Sequence, residues 1–409
     1  MIVVIGAGAA GLAASIFARA SQRDVILIER TSDGGRKILI SGGGRCNVLP
    51  EALEPRRFVT DSPPALVQRL LRSWPLKAQH AFFEHDVGIP LKLEAADRKW
   101  FPVSDRARDV RDGLMDLARR KGVEIRFNTE LIDLHASPGG WRLETTSGDL
   151  DATAVVLATG GLSVPSTGST GTGLTLARTL GHVVHDTYPA LTPLLASPSP
   201  HVHLSGVSLN VSIRAKSPRE EAESIGGFLF THLGYSGPSV LDVSHVAVRG
   251  SPGPEGPGLR EQDGASIRVR WSALGAREWQ DELLAANGLV LNVVGRRLPQ
   301  RLAEQLVKES GVPLDRRAAE LRREERIRLI DRLVSYELPW TGDEGYKKAE
   351  VTGGGVALDA VDPKTLESLR HPRLFFCGEM LDAFGPIGGH NFAWAWATGR
   401  MAGLGASGS

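Results

Sequence analysis

Cysteine is nearly absent: Cys46 and Cys377 are the only two in 409 residues and lie far apart. A disulfide framework is therefore not expected, and a reducing compartment suits the composition. Charge of one sign is lacking too, since 48 Lys and Arg against 47 Asp and Glu leave a net charge of +1. The Arg-rich stretch Leu321 to Arg332 is interleaved with acids at helical spacing, the pattern of a solvated helix face, so no nucleic-acid partner is expected. No apolar run approaches membrane-spanning length, and no basic region precedes a cleavable apolar stretch. A cytoplasmic chain with no membrane partner is expected. His182, His185, His201 and His203 lack acids or cysteines at metal-ligand spacing, and no metal is expected.

Glycine is what the chain has in quantity, 47 residues, within a 42% apolar and 23% charged composition typical of a folded soluble protein. The length exceeds one ordinary core and predicts at least two domains. Ile2 to Ile5 is a buried-strand run, followed by glycines, a small-residue helix from Gly11 to Ala20 and a second strand from Val25 to Glu29, a β-α-β unit. Thr31 to Leu49 is Gly-rich and reads as a functional loop. Helices are predicted at Ala65 to Trp74, Ala78 to Glu84 and Arg106 to Lys121. An antiparallel hairpin is predicted from Glu124 to Leu134 and Trp141 to Thr146, then a strand from Ala154 to Ala158. Beyond Pro189, short alternating segments to Val248 predict a mostly β region, Gly250 to Gly264 a Pro/Gly-rich loop, and Arg296 to Gly311 with Asp315 to Leu333 two amphipathic helices. A strand at Leu374 to Cys377 and a helix at Ala393 to Ala402 complete the first domain.

The expected fold class is thus α/β. A Rossmann-like dinucleotide-binding domain with a parallel sheet and an antiparallel crossover is interrupted by a β-rich domain with a helical lobe. The expected boundaries are 1–189 and 346–409 for the dinucleotide-binding domain and 190–345 for the insert, β-rich over 190–272 and helical over 273–345.

Gly6, Gly8 and Gly11, with Ala9 and Ala10, form a G-x-G-x-x-G turn between strand and helix. The first glycine makes the turn, the second admits a pyrophosphate and the third lets helix and strand pack. Glu29 ends the second strand, where an acid accepts hydrogen bonds from a ribose. Three further segments favour FAD over a resident nicotinamide. Thr159, Gly160 and Gly161 follow an apolar strand. Gly378, Glu379 and Asp382 follow another, where a carboxylate suits the flavin's polyol. Gly388 to Phe392 open a helix whose amides suit the pyrimidine edge of a flavin.

At these residues the sequence resembles the BaiN/RdsA-like family of NAD(P)/FAD-dependent oxidoreductases. The most specific segment is Gly35 to Asn47, which contains Ser41-Gly42-Gly43-Gly44-Arg45-Cys46-Asn47. Supporting segments are Phe101 to Ser104, Thr159 to Gly173, Leu229 to His232 with Ser236 to Pro238, Val351 to Val356, and Gly378 to Gly399. The resemblance implies a FAD domain built from both chain ends. It also implies contacts to the cofactor from the Gly6 loop, Glu29 with Arg30, the Arg36 and Lys37 region, the backbone at Leu131, and the tail at Glu379, Gly389, Asn391 and Phe392. It places Lys37, Ser41, Gly42, Arg45 and Asn47 on a loop near the flavin ring. Two departures concern the flavin's surroundings: Val48-Leu49-Pro50 stands where many relatives carry Thr-Asn, and His390 where tyrosine is more usual.

A flavin carries its own redox chemistry, so no protein nucleophile is required. Lys37, His232 and His390 are the candidate catalytic groups; Lys37 either exchanges protons or anchors its loop, and each histidine either exchanges protons or is structural. Cys46 is either a redox thiol or a packing residue, and Cys377, Trp394 and Trp396 read as core. The expected activity is FAD-dependent oxidation or reduction of a small organic substrate. NAD(P)H is a candidate transient donor, since no second fingerprint exists to hold it. Alternatives are an oxygen-using oxidase of small amines or aminoketones, a flavin-dependent RNA-modifying protein, and a non-catalytic flavin redox sensor.

Overall fold

The computed structural model describes residues 1–95, 98–250, 258–259 and 264–408. The chain divides into two units, one made of Met1–Thr187 with Val351–Ser409 and the other of Tyr188–Glu350. Each has its own hydrophobic core.

The first unit is organised by a five-stranded parallel sheet. Its strands are β1 (Ile2–Ile5), β2 (Val25–Ile28), β3 (Val123–Arg126), β4 (Ala154–Leu157) and β5 (Leu374–Phe376), in the spatial order β5-β4-β1-β2-β3. Strands β1, β2 and β4 are buried along their whole length, which is why they read as continuous aliphatic runs rather than alternating ones. The helix after β1, α1 (Ala9–Ala18), packs against the last helix of the chain, α2 (His390–Ser407). Small residues allow this approach. A methyl group on Gly399 would stand 2.3 Å from the Ala10 carbonyl oxygen, and one on Gly403 would stand 2.3 Å from that of Ala14. Trp394 and Trp396 are buried on α2 and donate their indole N–H groups to the carbonyls of Gly378 (3.1 Å) and Val48 (3.1 Å).

Several sequence expectations shift. The segment from Glu124 to Leu134 is not one hairpin arm. Val123–Arg126 joins the parallel sheet, the chain turns at Asn128 (φ +54°), and Leu131–Ser137 begins an antiparallel sheet with Gly140–Thr145 and Leu150–Ala152. Alternation persists through both strands, so periodicity alone hides the break. Within the expected loop from Thr31 to Leu49, Arg36–Ile40 is helical. The helix expected from Gly11 begins at Ala9, and the one expected at Ala393 to Ala402 runs from His390 to Ser407. The helix expected to end at Glu84 instead passes into a π-helical turn over Phe82–Val87.

The second unit carries an eight-stranded sheet, whose long central strands Ser208–Lys216 and Glu221–Phe230 pair antiparallel through nine residues each. The region up to Val248 is not all β: Pro238–Gly250 is a helix, and its valines and alanines are buried on nearly every side, which erases an amphipathic signal. Helices Gln300–Glu309 and Arg323–Val334 occupy the expected helical stretches. His201 is buried there against Tyr235 (2.8 Å), Tyr336 (3.1 Å) and Glu309 (3.3 Å), a satisfied core histidine. The Pro/Gly-rich loop expected over Gly250 to Gly264 lies largely outside the described residues. Among the described residues, no helix is long and apolar enough to cross a membrane.

Candidate functional site

The turn after β1 has the backbone its glycines require. Gly6 adopts φ +100°, and a side chain there would stand 2.6 Å from the Ala158 carbonyl oxygen. A methyl group on Gly11 would overlap the Gly6 carbonyl oxygen at 1.8 Å. Gly8 is different: a methyl group there would meet nothing within 4 Å. Gly6 and Gly11 are therefore small because protein surrounds them, and Gly8 faces open space at the N-terminus of α1. That is the arrangement a bound pyrophosphate needs, with backbone amides and the positive end of the helix dipole at hand.

Glu29, at the end of β2, accepts the Ala7 amide (2.8 Å) at one oxygen and the Thr31 amide (2.8 Å) and hydroxyl (2.7 Å) at the other. It thereby ties the phosphate loop to the next segment. Beyond it opens a cavity of about 420 Å³ lined by Arg30, Thr31, Ser32, Arg36, Ser166 and Gly168, among others. Arg30 donates to Thr170 (2.6 Å) and pairs with Glu130 (3.3 Å), and Arg36 pairs with Asp33 (2.6 Å). The volume suits a nucleoside.

The carboxylates after β5 have definite partners. Glu379 accepts the Lys37 ammonium (2.6 Å), the Ser163 hydroxyl, and both the amide (2.9 Å) and hydroxyl (2.8 Å) of Thr352. Lys37 also donates to Ser163 (2.5 Å). Burial alone would raise the Glu379 carboxyl, but the Lys37 cation and these donors outweigh it and hold it below the usual carboxylate range. Asp382 is 1% exposed. One of its oxygens accepts the amides of Asp61 (2.9 Å) and Ser62 (2.8 Å) and the hydroxyls of Thr60 (2.9 Å) and Ser62 (2.8 Å). Burial raises its carboxyl despite them. Both acids thus join distant segments of the chain. Ser163, Thr352, Thr60 and Ser62 had no pattern of their own in the sequence; two of them fall in segments already singled out, but nothing local links Lys37 and Ser163 to Glu379, or Thr60 and Ser62 to Asp382, across 216 to 342 residues.

The loop from Gly35 to Asn47 folds tightly. Gly42, Gly43 and Gly44 have φ of +55°, +68° and +84°, and Cys46 has +61°. Ser41 donates to Ile38 O (2.8 Å). A methyl group on Gly42 would press on the Asn47 amide at 3.0 Å, whereas one on Gly43 would meet nothing. Arg45 pairs with Glu94 and Asp105 and covers the Phe101 ring at 4.2 Å. Cys46 is fully buried, and burial pushes its thiol up to about 12, so it stays protonated at neutral pH and serves packing. Cys377 is buried likewise.

Thr159 donates to Met380 Sδ (3.3 Å), Gly160 adopts φ +74°, and a methyl group on Gly161 would stand 2.3 Å from Thr352 Oγ1. Gly378 (φ +72°) lies against Ala10, and its amide donates to Thr398 (3.0 Å). At the start of α2, Gly389 has φ +94°, Asn391 exchanges two hydrogen bonds of 2.9 Å with Gly385, and Phe392 stacks on Trp396 at 5.4 Å. His390 is buried, and burial together with Arg57 pushes it down to about 4, leaving a neutral ring. Leu131 is buried at the head of its strand. His232 belongs to the second unit, exposed in the turn after Glu221–Phe230.

A parallel sheet whose glycine turn is open at Gly8, an acid at the end of β2 and a last helix returning to α1 are the frame of an FAD-binding oxidoreductase. The match to known proteins is to the same class: the family described as HI0933-like protein Rossmann domain matches residues 1–405, and the chain belongs to it. It is 30% identical over 97% of its length to a ribosomal RNA dihydrouridine synthase of Escherichia coli strain K12, covering 95% of that protein. It is 31% identical over 99% of its length to a 3-dehydro-bile acid delta(4,6)-reductase of Clostridium scindens, covering 98% of that one. These relatives agree with the BaiN/RdsA-like resemblance. Among solved structures, the open conformation of a flavocytochrome c3 fumarate reductase is similar in fold, with a TM-score of 0.51 at 18% identity, covering all of this chain and 78% of the other.

Proposed function

We propose that this protein is an FAD-dependent reductase that saturates a carbon–carbon double bond conjugated to a carbonyl in a small organic substrate, with NAD(P)H as the transient donor. Two full-length relatives with different substrates support the bond chemistry. Dihydrouridine is uridine with one ring double bond reduced, and a delta(4,6)-reductase is named for reducing ring double bonds of a 3-keto compound. The single fingerprint supports transient use of the nicotinamide, because one resident dinucleotide site is accounted for by FAD.

When bound, the flavin supplies the hydride equivalent. The chain's own groups hold and orient. The Gly8 turn and the N-terminus of α1 receive the pyrophosphate, Glu29 and the Arg30 cavity receive the adenosine, and the loop from Gly35 to Asn47 borders the ring. Lys37 is the observation that carries the reading. Its ammonium has three protons and gives one each to Glu379 and Ser163, so one remains to donate toward a carbonyl oxygen as negative charge develops there.

The test is anaerobic. Flavin bleaching is followed with NADH and NADPH, and the reduced protein is then mixed with cyclic enones and their saturated analogues. Reoxidation by the enones alone supports the reading; reoxidation by oxygen and by no enone refutes it. A second reading, reduction of uridine in RNA, is favoured by the similarity to the ribosomal RNA enzyme. Reoxidation by unmodified ribosomal RNA, with dihydrouridine formed in it, would establish that reading instead.

A further inference from the structure

Two hydroxyl groups beside Glu379 have no choice in where their protons point. Thr352 Oγ1 accepts the amides of Leu162 (2.7 Å) and Ser163 (3.1 Å), which occupy both of its lone pairs, so its one proton goes to Glu379 Oε1 at 2.8 Å. Ser163 Oγ stands between Lys37, which can only donate, and Glu379 Oε1, so it accepts from the first (2.5 Å) and donates to the second. With the Thr352 amide (2.9 Å), Oε1 receives three donors, and Oε2 receives the Lys37 ammonium (2.6 Å). A proton added to this carboxyl would have to displace one of them, in keeping with its depressed position.

The cluster is closed on one side and open on the other. Ser163 is fully buried and Thr352 is 2% exposed. The turn before them is fitted to the hydroxyl, since a methyl group on Gly161 would stand 2.3 Å from Thr352 Oγ1 and 3.0 Å from Glu379 Oε1. Lys37 in contrast keeps 26% of its side chain exposed, with two of its three N–H donors engaged. An ion pair kept for stability alone gains little over apolar residues of similar volume. A donor whose partners are fixed beforehand needs no reorganisation when charge develops on a substrate.

The geometry points to Thr352 and Ser163 as positioning residues for the reduction: by fixing Glu379 as an acceptor only, they hold the Lys37 ammonium in one place with a single N–H left to give. Both act through Lys37 rather than on the substrate. This rests on Lys37 as the donor in the proposed reaction and adds what holds that donor in place.

Three variants separate the hydroxyls from the packing around them. Thr352→Val keeps the shape and loses the hydroxyl, Thr352→Ser keeps the hydroxyl, and Ser163→Ala removes the bridge. The first measurement uses the FAD-loaded resting protein with neither electron donor nor acceptor. Acetylation of Lys37 by acetic anhydride at fixed pH is followed by peptide mass spectrometry against the exposed Lys77, because the reagent attacks an amine released from its partners. Ser163→Ala is expected to raise the Lys37 rate about tenfold, as loss of one charge-assisted hydrogen bond implies, and Thr352→Val about threefold or more. Thr352→Ser is expected to stay within about twofold of wild type.

The second measurement follows reoxidation of the reduced flavin over a range of enone concentrations. In Thr352→Val and Ser163→Ala the limiting rate constant is expected to fall about tenfold while the half-saturating concentration moves less than about threefold. The Thr352→Val rate should also fall more steeply than wild type as pH is lowered, because Glu379 has lost a donor that opposed its protonation. Labelling equal to wild type in both variants, or Thr352→Ser as reactive as Thr352→Val, overturns the inference, and so does faster labelling with enone kinetics like wild type. If Thr352→Val, which leaves two buried amides without an acceptor, does not fold, Ser163→Ala carries the test. If no enone reoxidises the wild-type flavin, the reductase reading fails, and the labelling alone decides whether the two hydroxyls hold Lys37.

Discussion

Gly399→Ala tests whether helix-to-helix contact, rather than helix propensity, decides the stability of the first unit. In an isolated helix the change would be favourable by about 1 kcal/mol, since glycine is the poorer helix former. Here the new methyl group would sit 2.3 Å from the Ala10 carbonyl oxygen and 3.1 Å from its carbon. Both atoms are backbone of α1 and cannot swing aside, so α1 and α2 must part by about 1 Å to reach ordinary contact. Overpacking of this kind costs about 1–3 kcal/mol. The helices share the longest contact in the unit, so we place the cost at the upper end and expect a net loss of about 1–2 kcal/mol. Urea unfolding of the flavin-free protein, followed by tryptophan fluorescence together with far-UV circular dichroism, measures it. Gly8→Ala is the control. Its methyl group meets nothing and its φ of −79° suits alanine, so the flavin-free protein should unfold within about 0.5 kcal/mol of wild type while FAD retention falls. A Gly399→Ala protein as stable as wild type, or more so, would refute the packing argument.

Replacing Glu379 by glutamine leaves the Lys37 ammonium without its counter-charge, and a loss of roughly 2–4 kcal/mol in the FAD-loaded protein is expected by thermal unfolding. Lys37→Met should lower the rate of double-bond reduction by about 100-fold or more while flavin reduction by NAD(P)H persists, as stopped-flow traces of the two half-reactions would show. His182 and His390 are both held at about 4 against an ordinary 6.5, chiefly by burial. The unfolded chain takes up their protons first, so the stability they contribute is complete above about pH 6.5 and is lost as pH falls toward 4. Urea midpoints measured across that window should fall, and His390→Gln should make the fall shallower; an unchanged slope would count against the assignment.

The parallel sheet was legible because buried strands leave uninterrupted aliphatic runs, and the Gly6 turn because each glycine answers a separate steric demand. The tail segments were legible as glycine-marked strand ends and helix starts. The partners of Glu379 and Asp382 were not. A carboxylate at the end of a strand announces itself, but Lys37, Ser163 and Thr352 meet it only after the chain has folded, and no periodicity encodes that meeting. The helix Pro238–Gly250 was missed for a different reason: burial on most sides removes the polar face by which helices are recognised.

The embrace of α1 by α2 has a consequence during synthesis. Residue 18 leaves the ribosome some 370 residues before residue 390, so at 5–20 residues per second the alanine face of α1 waits roughly 20–75 s for its partner. Strand β5, which closes one edge of the parallel sheet, arrives just as late. A nascent chain arrested anywhere in the second unit would therefore carry a bare apolar helix and an open sheet edge, a natural client for a chaperone. Removing the last twenty residues should convert the whole first unit, rather than its tail alone, into insoluble protein.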